Sequence, residues 1–526
     1  MTNNPTRICA VVCEPRIEGV ARAIARAADD ADLVEVRLDC IEDISISELQ
    51  GLCLRAIHSS SKPLIITLRA VDEGGRQEIP RSVRLEFWRS AIAALMSNNQ
   101  TLVDIEYDLV RELQSEQGFR AAVDWQRVIC SVHDFDGMPA DVDQVYRQLA
   151  ETPAGILKIA VTAEDATDAI PMFRILDGAK QNGREIIPIA MGEAGVITRI
   201  LGPSRGAFLT YAAVESDRST APGQITCKDL VELYRVRHIN PETQIFALIG
   251  DPVSHSVSPH MHNAAFAHQD VDAVYLPLQV KDAGAFLRRM VKPSSREIDL
   301  NWRGLSVTAP HKIKVLDHLD WICARDAQSI GAVNTIIVED GELRGFNTDW
   351  VGIRGPLQRT LVSLVNTRCA IIGAGGAART AAWTLLKAGA RVSVFARSVA
   401  NAKSLADELR DEFSDEFNIE CKPLSAASFA DYEIVINATP LGTRGRLENE
   451  TVAHAEQLRG VRLVFDLVYN PLETRFMKEA KQAGCDRIGG LEMLVEQGAA
   501  QFNLWIPATA PVEAMRDAAR RALEQS

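Results

Sequence analysis

Eight short apolar runs recur along the first part of the chain, at residues 8–13, 33–39, 63–69, 101–107, 127–133, 155–160, 185–191 and 207–211. Between most of them lie stretches rich in Ala, Leu, Arg and Glu, such as GVARAIARAADDA and SVRLEFWRSAIAALM. A strand-like run followed by a helix-like one, repeated, specifies parallel βαβ units. About eight such units in roughly 240 residues predict a closed (β/α)8 TIM barrel, for which ~250 residues is typical. A doubly wound open sheet is the alternative.

Catalytic residues of such barrels gather at the carboxyl ends of the strands. These apolar runs carry polar residues there: Asp39, Arg69, Glu106, His133 and, within the sixth, Lys158. By the period of two along a strand, Glu35, Arg37 and Asp39 share one face, and three charges turned inward need partners or a polar ligand. A structural ion network is the other account of the same three residues. Lys158, among apolar neighbours in GILKIAV, is expected to have a depressed pKa and to supply the neutral amine that attack on a carbonyl requires. A lysine that snorkels to the barrel rim is the alternative, and His133 could equally be a satisfied core histidine.

The remainder of the chain reads as a second α/β enzyme. A polar stretch, YRVRHINPET, precedes the apolar FALIG and marks a domain boundary. FALIGDPVSHSVSPHMHN, GLSVTAPHK, GAVNTI and GFNTDWVG each read as a strand leading to a polar turn. Pro259 is placed to begin a helix, with Ser254, Ser256 and Ser258 before it; a serine-capped helix start would use the same residues. RCAIIGAGGAARTAAWTLL then gives a strand, a glycine turn and a helix starting near Ala378. Gly373-x-Gly375-x-x-Ala378 fits the dinucleotide fingerprint in its required setting. The next strand ends in Ala396-Arg397-Ser398, where a carboxylate would select NAD; arginine and serine suit a 2′-phosphate and so NADP.

Composition narrows the function classes. The 526 residues are 47% hydrophobic and 24% charged, with a formal net charge of −13, which leaves no basic excess for nucleic acid. No apolar run approaches the roughly 20 residues that span a bilayer. The sequence as given reads as cytoplasmic, or plastid if a transit peptide has been removed. Ten cysteines without CxxC or Cys/His spacing predict neither a disulfide framework nor a structural metal site.

In the first half, ExRxD (Glu35 to Asp39), TLR followed by EGG, DIE, SVHDF, LKIA and APGQ occur in order. The series resembles type I 3-dehydroquinate dehydratase. The resemblance implies that Lys158 forms a Schiff base with the substrate ketone and that His133, with a pKa near 7, moves the protons. It also implies that Arg199 binds the substrate carboxylate, while Glu35, Arg37, Arg69, Thr220 and Gln224 bind hydroxyls or hold the lysine and histidine. Thr220 stands where the family has Ser. SRGAF around Arg205 replaces the usual FGS, and the longer VESDRST stretch follows, which places the change at a lid over the substrate.

With INATPLG, DLVYNPLET and GGLEMLVEQGAAQF added, residues 244–526 resemble shikimate dehydrogenase. By that resemblance Lys312 and Asp349 form the catalytic pair. Ser256 and Ser258 bind the shikimate carboxylate, Thr308, Asn334 and Gln497 bind its hydroxyls or carboxylate, and Tyr469 lies close by. The nucleotide contacts extend to Gly376, Ala377, Thr439 and Gly490. Ser306 departs from the family's Asn, which leaves shikimate against quinate open at the second site. The domains implied are a barrel over residues 1–238, a substrate domain over 244–348 to which helices 490–526 return, and a Rossmann NADP domain over 349–489. The order matches the fused dehydratase–dehydrogenase of plants and some microbes: 3-dehydroquinate becomes 3-dehydroshikimate and then shikimate. Fungal repressors built on these domains are the inert alternative. Retention of Lys158, His133, Lys312 and Asp349 argues against it.

Overall fold

The computed structural model describes residues 6–42, 45–215, 220–361, 363–410, 413 and 419–525. Contacts divide the chain into two compact units. One comprises Met1–Gln244, Leu278–Val291 and Ser295–Asn301; the other comprises Ile245–Pro277, Lys292–Ser294 and Trp302–Ser526.

All eight expected strands form in the first unit: β1 Ile8–Val12, β2 Leu33–Arg37, β3 Leu64–Thr67, β4 Thr101–Glu106, β5 Val128–Asp134, β6 Ile156–Thr162, β7 Glu185–Met191 and β8 Thr210–Ala213. They pair in parallel in the order β7-β6-β5-β4-β3-β2-β1-β8. The ring is drawn nearly shut where the Phe208 N–H donates to the Ile186 carbonyl at 2.8 Å. Inside, Cys9, Ile65, Ile129, Ile156, Ile187 and Tyr211 belong to one buried cluster. A packed interior of this kind leaves a ligand only the carboxyl mouth of the barrel.

The face expected to hold three charges is shorter than the pattern predicts. β2 ends at Arg37, and Asp39 lies in a single 3-10 turn, Leu38–Cys40, past the strand. The reason is local: Arg37 forks onto the Asp39 carboxylate, with two contacts of 2.8 Å, and curls the backbone after it. Beside this turn Cys13 and Cys40 are joined as a disulfide. Cysteine spacing predicted none, because the two residues meet only when β1 and β2 pair; the other eight cysteines are free.

The second unit carries two six-stranded sheets. The first is built from β9 Gln244–Gly250, β10 Ala273–Gln279, β11 Trp302–Val307, β12 Trp321–Ile322, β13 Thr335–Glu339 and β14 Glu342–Phe346, in the order β10-β9-β11-β13-β14-β12. GAVNTI does not run as a strand into a polar turn. Asn334 precedes β13, which is antiparallel to both β11 and β14. The hairpin therefore starts and ends at the same sheet edge, so that Asn334 and the FNTD turn meet there. The second sheet is parallel throughout and has the order β17-β16-β15-β18-β19-β20. Its strands are β15 Arg368–Ile372, β16 Arg391–Ala396, β17 Glu420–Pro423, β18 Ile434–Asn437, β19 Leu463–Asp466 and β20 Asp486–Ile488. The helix Gly490–Trp505 then packs Val495, Ala499 and Phe502 into the cluster of Phe246, Met261, Phe266 and Tyr275. No helix among the described residues is long and apolar enough to cross a membrane.

Candidate active sites

Lys158 is one of seven residues of β6, and strand alternation turns it into the barrel, where it is 5% exposed. Its neighbours are not only apolar, as the sequence predicts. Nζ lies 2.9 Å from Asp104 Oδ2, on β4, and 4.2 Å from the centroid of the Tyr211 ring. Burial opposes ionisation of Asp104, but Arg69 and Lys158 outweigh it and hold the carboxyl below the usual range. Arg69 reaches the same carboxylate at 2.7 Å and donates to Ser131 Oγ at 2.7 Å. The lysine is thus fixed in the interior by a charge partner and does not snorkel to the rim.

His133, on β5, places Nδ1 3.0 Å from Glu73 Oε2. Burial first, then Arg69 and Lys158, hold the imidazole well below its ordinary value, so it is neutral at pH 7. A pKa near 7, expected from the sequence, does not survive this desolvated and cationic setting. Burial pushes the Glu73 carboxyl up to about 8, against the pull of Arg69. Glu73 stands in the EGG motif, but nothing local marks it as the histidine's partner. Asp104 was similarly visible only as part of DIE.

Arg199, on the helix Val196–Arg205, is 2% exposed, and burial alone lowers its pKa to about 10. Its one described hydrogen bond runs to the Pro222 carbonyl at 3.4 Å, and its Nε is buried without a partner. A buried guanidinium with no carboxylate beside it among the described residues is a site prepared for an anion. Thr220 donates to Gln224 Oε1 through N and Oγ1, which ties the APGQ turn together. Glu35 accepts from Thr67 Oγ1 at 2.7 Å. Lys158, His133, Arg199, Glu35, Arg37, Arg69, Thr220 and Gln224, the barrel residues to which the resemblance gives a role, line one pocket together with Glu73 and Tyr211. Arg205 closes its helix, while residues 216–219 of the VESDRST stretch lie outside the described residues.

In the second unit, Lys312 Nζ lies 2.6 Å from Asp349 Oδ2. Asp349 opens the helix Asp349–Thr360, and its other oxygen accepts from Asn334 Nδ2 at 2.8 Å. Asn334 Oδ1 accepts in turn from the Thr348 N–H at 2.7 Å, which fixes the turn. Ser258 begins the helix Ser258–His268, with Pro259 in its first turn as expected. Ser256 is within hydrogen-bonding reach of the partly buried Tyr469, whose hydroxyl pKa is pushed up by desolvation. Ser256, Ser258, Thr308, Lys312, Asn334, Asp349, Tyr469 and Gln497 all line a second pocket.

Ser306 lines that pocket too, and its Oγ donates to Gln501 Oε1 at 2.9 Å. Gln501 was not singled out from the sequence. It also donates to the Asn334 carbonyl and to Thr335 Oγ1, so the helix Gly490–Trp505 supplies an amide next to the serine that replaces the family's asparagine.

The pocket continues to Ala377 and Gly490, at the edge of the parallel sheet. The glycine turn has the form a dinucleotide requires. Gly373 has φ +122, and a Cβ there would stand 2.8 Å from the Ala438 carbonyl. Gly375 caps the helix Gly376–Lys387, and a Cβ on either Gly375 or Gly376 would project into open space. That open space at a helix N-terminus fits a pyrophosphate. Thr439 donates through N and Oγ1 to Asn437 Oδ1, which sets the loop facing Gly373. Arg397 and Ser398 follow β16 and are exposed, as a 2′-phosphate contact requires. No cluster of three or more His, Cys, Asp or Glu placed to hold a metal ion occurs among the described residues.

Residues 8–241 match the type I 3-dehydroquinase model, and residues 248–336 match the shikimate dehydrogenase substrate-binding domain. Residues 357–474 match shikimate/quinate 5-dehydrogenase, and 490–520 match the shikimate 5′-dehydrogenase C-terminal domain. The chain is 34% identical over 538 residues to the chloroplastic bifunctional 3-dehydroquinate dehydratase/shikimate dehydrogenase of Arabidopsis thaliana, covering 98% of this chain and 84% of that one. It is 40% identical to the shikimate dehydrogenase (NADP(+)) of Methanocaldococcus jannaschii over 53% of this chain and 97% of that one. A crystal structure of a shikimate dehydrogenase in complex with NADP+ is 38% identical over 54% of this chain and 97% of that one, with a TM-score of 0.50. With both halves matched, in this order and over nearly its whole length, the chain belongs to the family of bifunctional 3-dehydroquinate dehydratase/shikimate dehydrogenases.

Proposed function

We propose that the barrel pocket dehydrates 3-dehydroquinate through an imine on Lys158, and that the second pocket reduces the resulting 3-dehydroshikimate to shikimate with NADPH. The chain is a bifunctional enzyme, a 3-dehydroquinate dehydratase and an NADP-dependent shikimate dehydrogenase. The observation that carries the assignment of residues is that each pocket holds one lysine with a different companion. Lys158 shares its pocket with a neutral histidine and an uncompensated arginine, whereas Lys312 is paired directly with a carboxylate.

In the first pocket the substrate carboxylate meets the Arg199 guanidinium, which burial has left without an anion. The Lys158 ammonium, paired with Asp104, gives a proton to the ketone oxygen and, as the free amine, adds to the ketone carbon; loss of that oxygen as water leaves an iminium. The iminium draws electrons from the adjacent C–H bond. Neutral His133 takes that proton, and the bonding pair enters an enamine. The enamine then expels the β-hydroxyl, which leaves as water with the proton held by His133. Water adds to the conjugated iminium to release product and restore the amine. Glu73 and Asp104, both ion-paired to Arg69, hold His133 and Lys158 in register, and Glu35, Arg37, Thr220 and Gln224 face the hydroxyls.

In the second pocket Ser256 and Ser258 take the carboxylate of the substrate, and Thr308, Asn334 and Gln497 its hydroxyls. NADPH, when bound on the Gly373–Gly376 turn with Arg397 and Ser398 at its 2′-phosphate, supplies the hydride. The Lys312 ammonium delivers a proton to the carbonyl oxygen as negative charge develops there, and Asp349 keeps it aimed.

The test is to incubate the full chain with 3-dehydroquinate and NADPH. Shikimate is expected to accumulate as NADPH is consumed. Consumption of 3-dehydroquinate with no shikimate formed would overturn the second assignment, and no dehydration at all would overturn the first.

A further inference from the structure

Tyr211 is a β8 residue paired with Cys9 across the β1–β8 ladder, and its ring belongs to the buried cluster that fills the barrel. The ring centroid stands 4.2 Å from Lys158 Nζ. The residue is 4% exposed, and its hydroxyl oxygen is buried with no hydrogen-bond partner among the described residues. It also lines the pocket that holds Lys158, His133 and Arg199.

A hydroxyl kept from water and left unpaired is destabilising. Phenylalanine would fill the same space and pack the same ring against the lysine, so packing does not explain the oxygen. Nearby acceptors are engaged elsewhere. Glu35 accepts from Thr67 at 2.7 Å. Asp104 takes Ser131 at 2.6 Å, Lys158 at 2.9 Å and Arg69 at 2.7 Å. A polyol substrate held at Lys158 brings oxygens to the pocket wall that Tyr211 forms.

We propose that the Tyr211 hydroxyl is a substrate-binding group of the dehydratase site, donating a hydrogen bond to an oxygen of the polyol ring beside the carbon that Lys158 attacks. The proposal rests on the assignment of Lys158 as the imine-forming lysine. Tyr211 then contributes to selecting a hydroxylated ring over a deoxygenated one, because an analogue without that oxygen leaves the phenol unpaired.

The experiment compares the full chain with its Tyr211→Phe variant. The variant is expected to raise the KM for 3-dehydroquinate about tenfold with little change in kcat, the scale of one hydrogen bond present in both ground and transition states. The ligand-free variant is expected to unfold a few degrees higher, because an unpaired buried hydroxyl has been removed. An unchanged KM overturns the proposal. So does a lower unfolding midpoint, which would mean that the hydroxyl has a partner within the protein. Borohydride trapping of 3-dehydroquinate on the unmutated chain separates the two layers: no adduct at Lys158 overturns the imine assignment itself, whatever Tyr211→Phe does.

Discussion

Lys312 Nζ and Asp349 Oδ2 stand 2.6 Å apart, although 37 residues separate them in sequence. The lysine is about a quarter exposed and the carboxylate almost fully buried, so the pair faces a ligand from one side only. Lys312→Ala is expected to lower the rate of 3-dehydroshikimate reduction by about 10²–10⁴-fold, the usual contribution of a positioned proton donor. Dehydration of 3-dehydroquinate by the same variant is expected to be unchanged. Parallel loss of both activities would refute the separation of the two sites.

Lys158 is expected to be the single point of covalent attachment in the barrel. Borohydride added with 3-dehydroquinate should give a stable mass adduct on the peptide carrying Lys158, and Lys158→Ala should give none and should not dehydrate. His133→Ala retains the amine, so it should still form the adduct while turnover falls by about 10²–10⁴-fold. A Lys158→Ala variant that still dehydrates would rule out the imine route.

The Glu73–His133 contact predicts a pH dependence. Glu73 titrates near 8 and is protonated at pH 7, whereas His133 stays neutral. Once ionised, Glu73 accepts from Nδ1–H and leaves Nε2 as the unprotonated base. The kcat/KM for dehydration is therefore expected to rise as pH increases through about 8. In Glu73→Gln that limb should vanish. If it persists at the same pH, another group controls the base.

Asp104 sits between two buried cations, Arg69 and Lys158. Asp104→Asn is expected to destabilise the barrel by about 3–5 kcal/mol, the cost of stranding buried charge, as measured by denaturant unfolding. The sign of the pH effect follows from its depressed folded pKa. The stabilisation is fully present above the unfolded value of about 3.9 and is lost as pH falls through the lower folded value. The mutant is expected to show a flatter acid limb, and an unchanged limb would place the acid sensitivity elsewhere.

Arg397 is exposed after β16, at the end of the strand where the nucleotide's ribose is expected. Arg397→Ala is expected to raise the KM for NADPH about tenfold while leaving the KM for NADH within about twofold, since only one of them carries the 2′-phosphate. Equal effects on both would assign Arg397 a structural role.

Much of this protein was legible as local pattern. A period of two with apolar content specifies strands, helix-forming stretches between them specify parallel units, and a glycine turn between strand and helix specifies the nucleotide loop. Lys158 and His133 could be singled out because each interrupts an apolar strand with a reactive side chain, and Lys312 and Asp349 because their motifs resemble those of the family. Their partners could not. Asp104 meets Lys158 across 54 residues, and Gln501 meets Ser306 across 195. Those contacts depend on how the barrel strands register and on where the helix Gly490–Trp505 packs, and no short-range periodicity encodes either.

The charge state of the groups belongs to the tertiary structure for the same reason. Desolvation and neighbouring charges act through space, so His133 is neutral, Glu73 holds its proton to about pH 8, and Arg199 awaits an anion only once the barrel closes. The sequence by itself determined which side chains are available for chemistry and at which strand ends they stand. Only the fold decided which of them touch, and therefore which carry a proton.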